Sequence, residues 1–437
     1  MNESAKRGRS PIMAVFTTVF IDMLGFGILI PVYPLLISPG SPYKVTPDGW
    51  SFTEGLIMLG WLQGIFPLCI FLAAPILGQM SDRWGRRPVL AISIFGTAVG
   101  YALFALGIHT ANLPLLFASR ALDGITGGNQ AVAQAAIADV STPENRAKNF
   151  GVIGAAFGLG FIIGPYLGGR LSGPGKDFYG LFTTPGWFGA TTPFLFAAVI
   201  SLLNCAQILI ALPETLAAKD PTRRLQLNQS FSNVLAGFRS VRLRTILATG
   251  FLFSAGFTFF TTFFGVFLRN NFGFDEGKTG DYFAIVGLFI AFSQAVLVGR
   301  IARRLVDWKV LRFSMFGTGA MILVFFASPT TTTFWLYAVI PVLALFQGLS
   351  MSNITSLVSR SAEVERQGEA MGIFSSVTNL AQVPAAVLVG YITGSIGSAT
   401  PLLVAGSCII AGGLLFVTVF RPRYVSEMIP GSAPAAH

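Results

Sequence analysis

Apolar residues dominate this chain in long unbroken runs, separated by short polar breaks that carry most of the charge. Runs with one charge or none extend over Ile12 to Leu36, Gly55 to Ser81, Pro88 to Ile108, Asn149 to Gly169, Phe178 to Pro213, Thr245 to Leu268 and Tyr282 to Gly299. Two further runs, Phe313 to Ser359 and Ala370 to Phe420, are each long enough for two membrane crossings, and the turn-rich strings "ASPTTTT" and "GSIGSAT" break them. A less apolar stretch from about Asn112 to Val140 completes the series. The pattern predicts an all-α integral membrane protein of twelve transmembrane helices, because about 20 apolar residues in a helix span a bilayer core.

Composition agrees: 53% of the residues are hydrophobic and only 11% are charged, against about 25% in soluble domains. With the amino terminus inside, 23 of the 29 Lys and Arg residues fall on one side, 5 on the other, and Arg120 lies within a span. Basic residues in short loops stay cytoplasmic, so both termini are expected in the cytoplasm and the protein in the cytoplasmic membrane. The net charge of +10 then reads as a topology signal with attraction to anionic lipid, and no soluble domain presents a basic patch to nucleic acid. The "KRGR" tail before the first run resembles a signal peptide, but the run is too long and lacks a small-residue cleavage site, so it is expected to remain as the first span. Cys69, Cys205 and Cys408 each sit in an apolar run and read as packing residues, and two histidines cannot build a metal cluster. No metal or cofactor site is expected.

One unit is used twice. "GQMSDRWGRRPVL" (Gly78 to Leu90) aligns without gaps to "GRIARRLVDWKVL" (Gly299 to Leu311), and "ENRAKNFG" (Glu144 to Gly151) to "ERQGEAMG" (Glu365 to Gly372), both at an offset of 221. Residues 1–212 and 243–437 are therefore expected as two six-helix halves joined by a cytoplasmic linker, residues 213–242, with no chemistry of its own. Parallel halves suit a transporter that alternates access to a midplane substrate site.

The first of these loops is specific. Asp82 and Arg83 end a helix, Gly85 permits a tight turn, Arg86 and Arg87 place charge at the membrane face and Pro88 begins the next helix. A loop that served topology alone would need the arginines but not Gly78, Asp82, Gly85 and their spacing. In span five, Gly160, Gly164 and Gly168 recur every four residues beside Pro165 and Gly169, a surface that lets another helix approach closely.

These strings, together with "IDMLGFGILIPVYP" in span one, "SRALDGITGGNQAV" in span four, "IADVSTPENRAKNFG", "LPET" after span six and "QGEAMG" opening span eleven, make the chain resemble the major facilitator superfamily over nearly its whole length. The closest branch is the twelve-helix drug/proton antiporters that include tetracycline efflux proteins. The resemblance implies that the Asp82 loop latches the cytoplasmic face in the outward-open state, and that the span-five glycines mark antiporters. The second-half loop lacks the acid and the second glycine of the motif.

Three charges lie deep in the spans. Asp22 is ten residues past Ile12, about 15 Å into a core roughly 30 Å thick. Arg120 and Asp123 share one face of span four, three residues apart. A register-setting ion pair is one reading; a proton-coupling site is the favoured one, since intramembrane ionisable groups are functional by default. Asp22 is the expected proton carrier, alternating between protonated and ionised as its surroundings wet and dry. The resemblance agrees at Asp22 and Arg120 and fails in span three, where the exporters carry an acid and this chain has Gly100. Asp123 is the candidate replacement. Asn129, Gln130, Gln294, Gln347, Asn353, Asn379 and Gln382 are weaker candidates to line a substrate cavity, because interhelical hydrogen bonding is the commoner use of such residues.

The expected activity is proton-coupled export of an amphipathic or tetracycline-like small molecule by a monomer, with substrate, protons and the lipid bilayer as partners. Uptake of a small solute such as a sugar and a transport-inactive sensor are the alternatives. An enzyme is excluded by the lack of any nucleophile and base pair, metal cluster or phosphate loop.

Overall fold

The computed structural model describes residues 11–142, 146–177, 180, 182–220, 225–302, 305–362 and 367–421. The basic tail Lys6, Arg7 and Arg9, together with Glu144, Phe178, Arg223, Arg224, Arg303, Arg304, Glu365 and Arg366, lies outside them. The chain runs as α1 (Pro11–Ile37), α2 (Phe52–Trp84), α3 (Arg86–His109), α4 (Leu113–Gly127), α5 (Gln130–Asp139), α6 (Arg146–Leu171) and α7 (Thr192–Ala211). The linker forms α8 (Gln229–Arg239). Then come α9 (Arg244–Thr262), α10 (Phe264–Phe272), α11 (Glu276–Phe292), a π-helical turn Ser293–Val298, and α12 (Gly299–Ala302). The chain continues through α13 (Asp307–Ala327), α14 (Phe334–Ala338), α15 (Ile340–Arg360), α16 (Gln367–Ser395) and α17 (Thr400–Val419).

Eleven helices among the described residues are long and apolar enough to cross a membrane. The twelfth crossing is α4 followed by α5, which the adjoining Gly127, Gly128 and Asn129 interrupt. Glycines weaken a helix interior by about 1 kcal/mol each, and here they leave Asn129 as the cap residue of α5, fully buried. The run that begins near Phe178 becomes helical only at Thr192. Its earlier part holds an isolated β-bridge between Asp177 and Thr183 and then a proline and glycine-rich turn, which cannot continue a helix.

Two compact units form. The first comprises Met1–Gly55, Leu68–Leu227 and Phe274–Gly287; the second comprises Leu56–Pro67, Asn228–Gly273 and Leu288–His437. In the first, α1 lies along α6 and also touches α7, while α3 packs on α4 and α7. In the second, α9 lies along α16 and α17, while α13 packs on α15 and α17. The pairing scheme of spans one, three, four, five and six therefore recurs in spans seven, nine, ten, eleven and twelve, as the sequence repeat requires. Of the eight phenylalanines between Phe251 and Phe267, Phe253, Phe259, Phe260, Phe263, Phe264 and Phe267 are buried, and Phe260 and Phe264 stack around Phe325. They fill the second unit's interior.

Candidate functional site

The polar interior of the first unit is assembled from three crossings. On α4, Arg120 Nη1 donates to Asp123 Oδ2 at 2.6 Å, with both side chains almost wholly buried. The i, i+3 spacing puts them on one face, so the pair forms within a single helix. On α1, Asp22 lies close enough to Asp123 and Asn129 to interact with both. Its Oδ2 is closed off from solvent and makes no hydrogen bond, and neither amide atom of Asn129 makes one of normal geometry. Tyr33 of α1 and Tyr101 of α3 are buried within the electrostatic reach of Arg120 and Asp123.

Two glycines shape this interior. A Cβ at Gly25 would fall 1.6 Å from Tyr101 Oη, so the phenol occupies space that only glycine leaves on α1. A Cβ at Gly100 would lie 3.3 Å from Asp123 Cβ. Asp123 Cβ thus packs closely against the α3 position at which the resembling exporters carry an acid. Tyr33 and Tyr101 are site residues that sequence reasoning did not single out. The one available signal was a phenol inside an apolar run, "PVYP" for the first and "GYAL" for the second.

The signature loop forms a second polar centre. Arg86 bridges two carboxylates, Asp82 Oδ1 at 2.6 Å through Nη1 and Asp139 Oδ2 at 3.0 Å through Nε, and Nη1 also donates to Ser81 Oγ at 2.6 Å. Glu214, from the "LPET" string, accepts the backbone N–H of Arg86 at 2.8 Å and that of Arg87 at 3.4 Å. A carboxylate from across the unit therefore caps the N-terminus of α3, where unpaired N–H groups and the helix dipole favour an anion. Arg87 donates to the carbonyl of Leu209. Gly85 has φ +111, and a Cβ there would meet Glu214 Oε2 at 2.2 Å, so turn and cap both require glycine. Gly78 faces open space, and Arg83 makes no contact in this network among the described residues. Asp139 and Glu214 complete a centre of which the sequence had singled out only the loop itself.

The second unit carries a counterpart with its charges exchanged. Asp307 stands 221 positions after Arg86, and Arg360 stands 221 after Asp139. Asp307 Oδ2 pairs with Arg360 Nε at 3.3 Å and accepts from Ser356 Oγ at 2.6 Å. The second-half loop does lack an acid at the position of Asp82, yet the repeat retains the pairing between its ninth residue and the end of the second crossing after it, with the signs reversed.

On α6, a Cβ at Gly160, Gly164 or Gly168 would approach backbone atoms of α1 to 2.7, 2.4 or 2.5 Å. That stripe seats α6 directly on α1. Gly169 turns to another neighbour: a Cβ there would lie 2.2 Å from Glu276 O, at the start of α11. Pro165 abuts Gly27 on α1, and its carbonyl faces Gly280 on α11. Next to this contact, Arg170 holds Asp281 by two N–H donors, at 2.7 and 2.8 Å through Nη2, and Lys176 pairs with Asp275 at 3.1 Å.

The neutral candidates separate by environment. Asn353 donates to Leu349 O at 2.7 Å, satisfying its own helix, and Gln382 does the same toward Thr378 O at 3.4 Å. Asn379 reaches Ser375 Oγ at 3.4 Å, and Gln130 is half-buried at the start of α5. Gln294, on the π-helical turn, accepts from Ser352 Oγ at 3.2 Å across the contact with α15. The buried Oε1 of Gln347 and Oγ of Ser293 make no hydrogen bond. π-turns often mark functional positions, so Gln294 and Gln347 are the strongest of this group.

The comparisons with known proteins point the same way. The family model described as Major Facilitator Superfamily matches residues 15–386. A tetracycline resistance protein, class C, of Escherichia coli is 29% identical over 387 residues, covering 88% of this chain and 89% of its own length. Multidrug resistance protein 2 of Bacillus subtilis (strain 168) is 26% identical over 422 residues, covering 95% and 97%. Among solved structures, a D-xylose-proton symporter superposes with a TM-score of 0.73 at 15% identity, over 94% of this chain and 97% of that one; it shares the fold. Proteins of this family are transporters and not enzymes, and they move small-molecule substrates, often with protons. With its apolar crossings, its repeated helix-pairing scheme and a match over most of its length, this chain is a multi-pass membrane protein that belongs to the major facilitator superfamily.

Proposed function

We propose that the protein exports an amphipathic small molecule, of the kind handled by tetracycline and multidrug exporters, in exchange for protons by alternating access. The observation that carries this reading is the meeting of Asp22 with the Arg120–Asp123 pair inside one unit. Arg120 and Asp123 neutralise each other at 2.6 Å, which leaves Asp22 as the carboxylate without a paired cation among the described residues. An ionised carboxylate in a dry interior is costly, by at least about 2.5 kcal/mol on insertion scales. Protonation removes that cost, and wetting or a cationic substrate offsets it. Asp22 is thus built to take a proton when its surroundings close and to release it when they open. Tyr33, Tyr101 and Asn129 supply hydroxyl and amide groups beside it, and Gln294 and Gln347 are the substrate-binding candidates within the second unit. The driving force is about 2.3 kcal/mol per proton per 100 mV, plus the pH gradient.

In this reading residues 1–212 and 243–437 are the functional halves, residues 213–242 the linker, and the signature loop and α6 mark the moving parts. Both termini are cytoplasmic, the membrane is the cytoplasmic one, and the monomer is the working unit. The names of the relatives support a drug as substrate. Solute uptake would need the same proton site but the opposite direction, and the span-five glycine pattern favours exchange.

Reconstitution with Asp22→Asn tests the proposal. The variant keeps the size of the side chain and removes only its titration. It is expected to lose accumulation driven by a pH gradient at least tenfold while retaining substrate binding and gradient-free exchange, and substrate binding should release a proton from wild type alone. Unchanged pumping against a gradient with unchanged pH dependence would overturn it. A susceptibility screen over tetracyclines, dyes and other drug classes in an efflux-deficient host reads substrate class and direction together.

A further inference from the structure

The linker helix α8 is not merely a tether. Its 11 residues separate into three faces. Ser230 and Gly237 are buried, and a Cβ at Gly237 would lie 2.5 Å from Ile373 Cγ2 of α16 and 2.6 Å from Leu247 Cδ1 of α9, so this face is seated on the second unit. At spacings of four and three, Phe231, Leu235 and Phe238 form an apolar stripe, 59%, 52% and 39% exposed. Ser232, Ala236 and Arg239 form the remaining, exposed face. Val241, just past the end of α8, is also exposed.

Along the chain the charge beside this helix is basic, while α16, on which it packs, carries Glu369 in its first turn. Arg239, Arg242 and Arg244 are exposed, and no acidic residue occurs between Asp220 and Asp275. Upstream in the linker, the backbone N–H of Gln226 donates to Gln79 Oε1 of α2 at 2.7 Å. A short helix with an apolar stripe, a polar face and a basic end is the form that lies in a membrane interface, with its apolar side at the acyl boundary and its cations on headgroup phosphates. A protein partner of ordinary surface would have to offer both a hydrophobic groove and acidic groups; the interface of an anionic bilayer offers both.

We propose that α8 is an interfacial lipid-binding helix. Leu235 and Phe238, with Phe231, seat in the bilayer surface, and Arg239, Arg242 and Arg244 hold anionic lipid headgroups. The occupant is the membrane in which the protein itself is embedded, so the inference stands on family membership and not on the export reading. Because α8 rests on α9 and α16 through Gly237, the lipid charge acts on the second unit by way of this helix.

The test places a fluorescent label on Leu235→Cys or Ser232→Cys in the full chain, with Cys69, Cys205 and Cys408 replaced by serine, in nanodiscs of phosphatidylcholine with increasing phosphatidylglycerol. The Leu235 label should be quenched by spin-labelled lipid and the Ser232 label by aqueous iodide. Replacing Arg239, Arg242 and Arg244 by glutamine should weaken the response to phosphatidylglycerol by about fivefold per arginine, with the folded yield unchanged. Equal iodide quenching at both positions would overturn the proposal. So would protection of the Leu235 label in detergent by a second copy or a soluble protein, and a Leu235 label seated in lipid regardless of phosphatidylglycerol would overturn its anionic part.

Discussion

Asp22, Arg120 and Asp123 show how little a membrane interior tolerates and how that limit specifies chemistry. Arg120 and Asp123 pair within one helix, an arrangement that any i, i+3 pair can reach. Asp22 has no such neighbour on α1, and its uncompensated oxygen is what a proton would occupy. The placement of Gly100 beside Asp123 gives a direct test of whether the acid has moved between helices. Asp123→Asn should reduce gradient-driven transport by about tenfold or more. Adding Gly100→Asp, which brings a carboxylate to the same pocket from α3, should restore part of it, measured as drug uptake into inverted vesicles under an imposed pH gradient. The contact of 3.3 Å demands only a few tenths of an ångström of adjustment. A double variant no better than Asp123→Asn alone would show that Asp123 acts by pairing with Arg120 and not by titrating.

At the scale of elements, glycine decides which helices touch. The stripe on α6 brings its backbone to within van der Waals range of α1, and a leucine at Gly164 would drive side-chain atoms into Leu24 O and Gly27. Overpacking a tight contact costs about 1–3 kcal/mol, more when backbone is the obstacle. Gly164→Leu is therefore expected to lower the thermal midpoint and folded yield together with binding, as seen by size exclusion and ligand-protected melting. A folded variant that binds substrate but does not turn over would instead assign the stripe to motion. The signature loop behaves differently, because its contacts are polar and its backbone is held by Glu214 whatever residue stands at 82. Asp82→Asn should leave insertion and melting nearly unchanged while slowing turnover in vesicles several-fold; a wild-type rate would reduce the loop to a topology signal.

Across the whole molecule, the two copies of the six-helix unit keep their helix pairing and reverse one ion pair. Arg86 with Asp139 in the first and Asp307 with Arg360 in the second occupy matching places with opposite charge. Arg360 is more than half exposed, so the second pair adds little to stability, about 0.2–1 kcal/mol as for surface pairs. A role in turnover is a separate matter that a charge exchange reads cleanly. Asp307→Arg alone should slow transport, and Asp307→Arg with Arg360→Asp should recover most of the rate, in vesicles holding equal amounts of protein. If the exchanged pair is no faster than the single variant, the orientation of the pair, and not its existence, matters.

The sequence by itself determined the class of the protein, because the bilayer imposes a length and a hydropathy on every crossing and these are one-dimensional properties. It also determined the repeat, the signature loop and the three interior charges, since an ionised group in an apolar run is visible without a structure. What it could not give is which helix faces which. The pairing of α1 with α6, the arrival of Glu214 at the N-terminus of α3 and the proximity of Asp22 to Asn129 depend on contacts between residues more than 100 positions apart. Tyr33 and Tyr101 were illegible for the same reason: a phenol in an apolar run is polar only in relation to what lies across from it. The break of span four was written in Gly127, Gly128 and Asn129, but only packing decided that the helix yields there and presents Asn129 to Asp22. Likewise the charge-reversed pair hid behind a degenerate motif, because alignment compares residue types, whereas the tertiary structure conserves the interaction and is indifferent to which partner carries which sign.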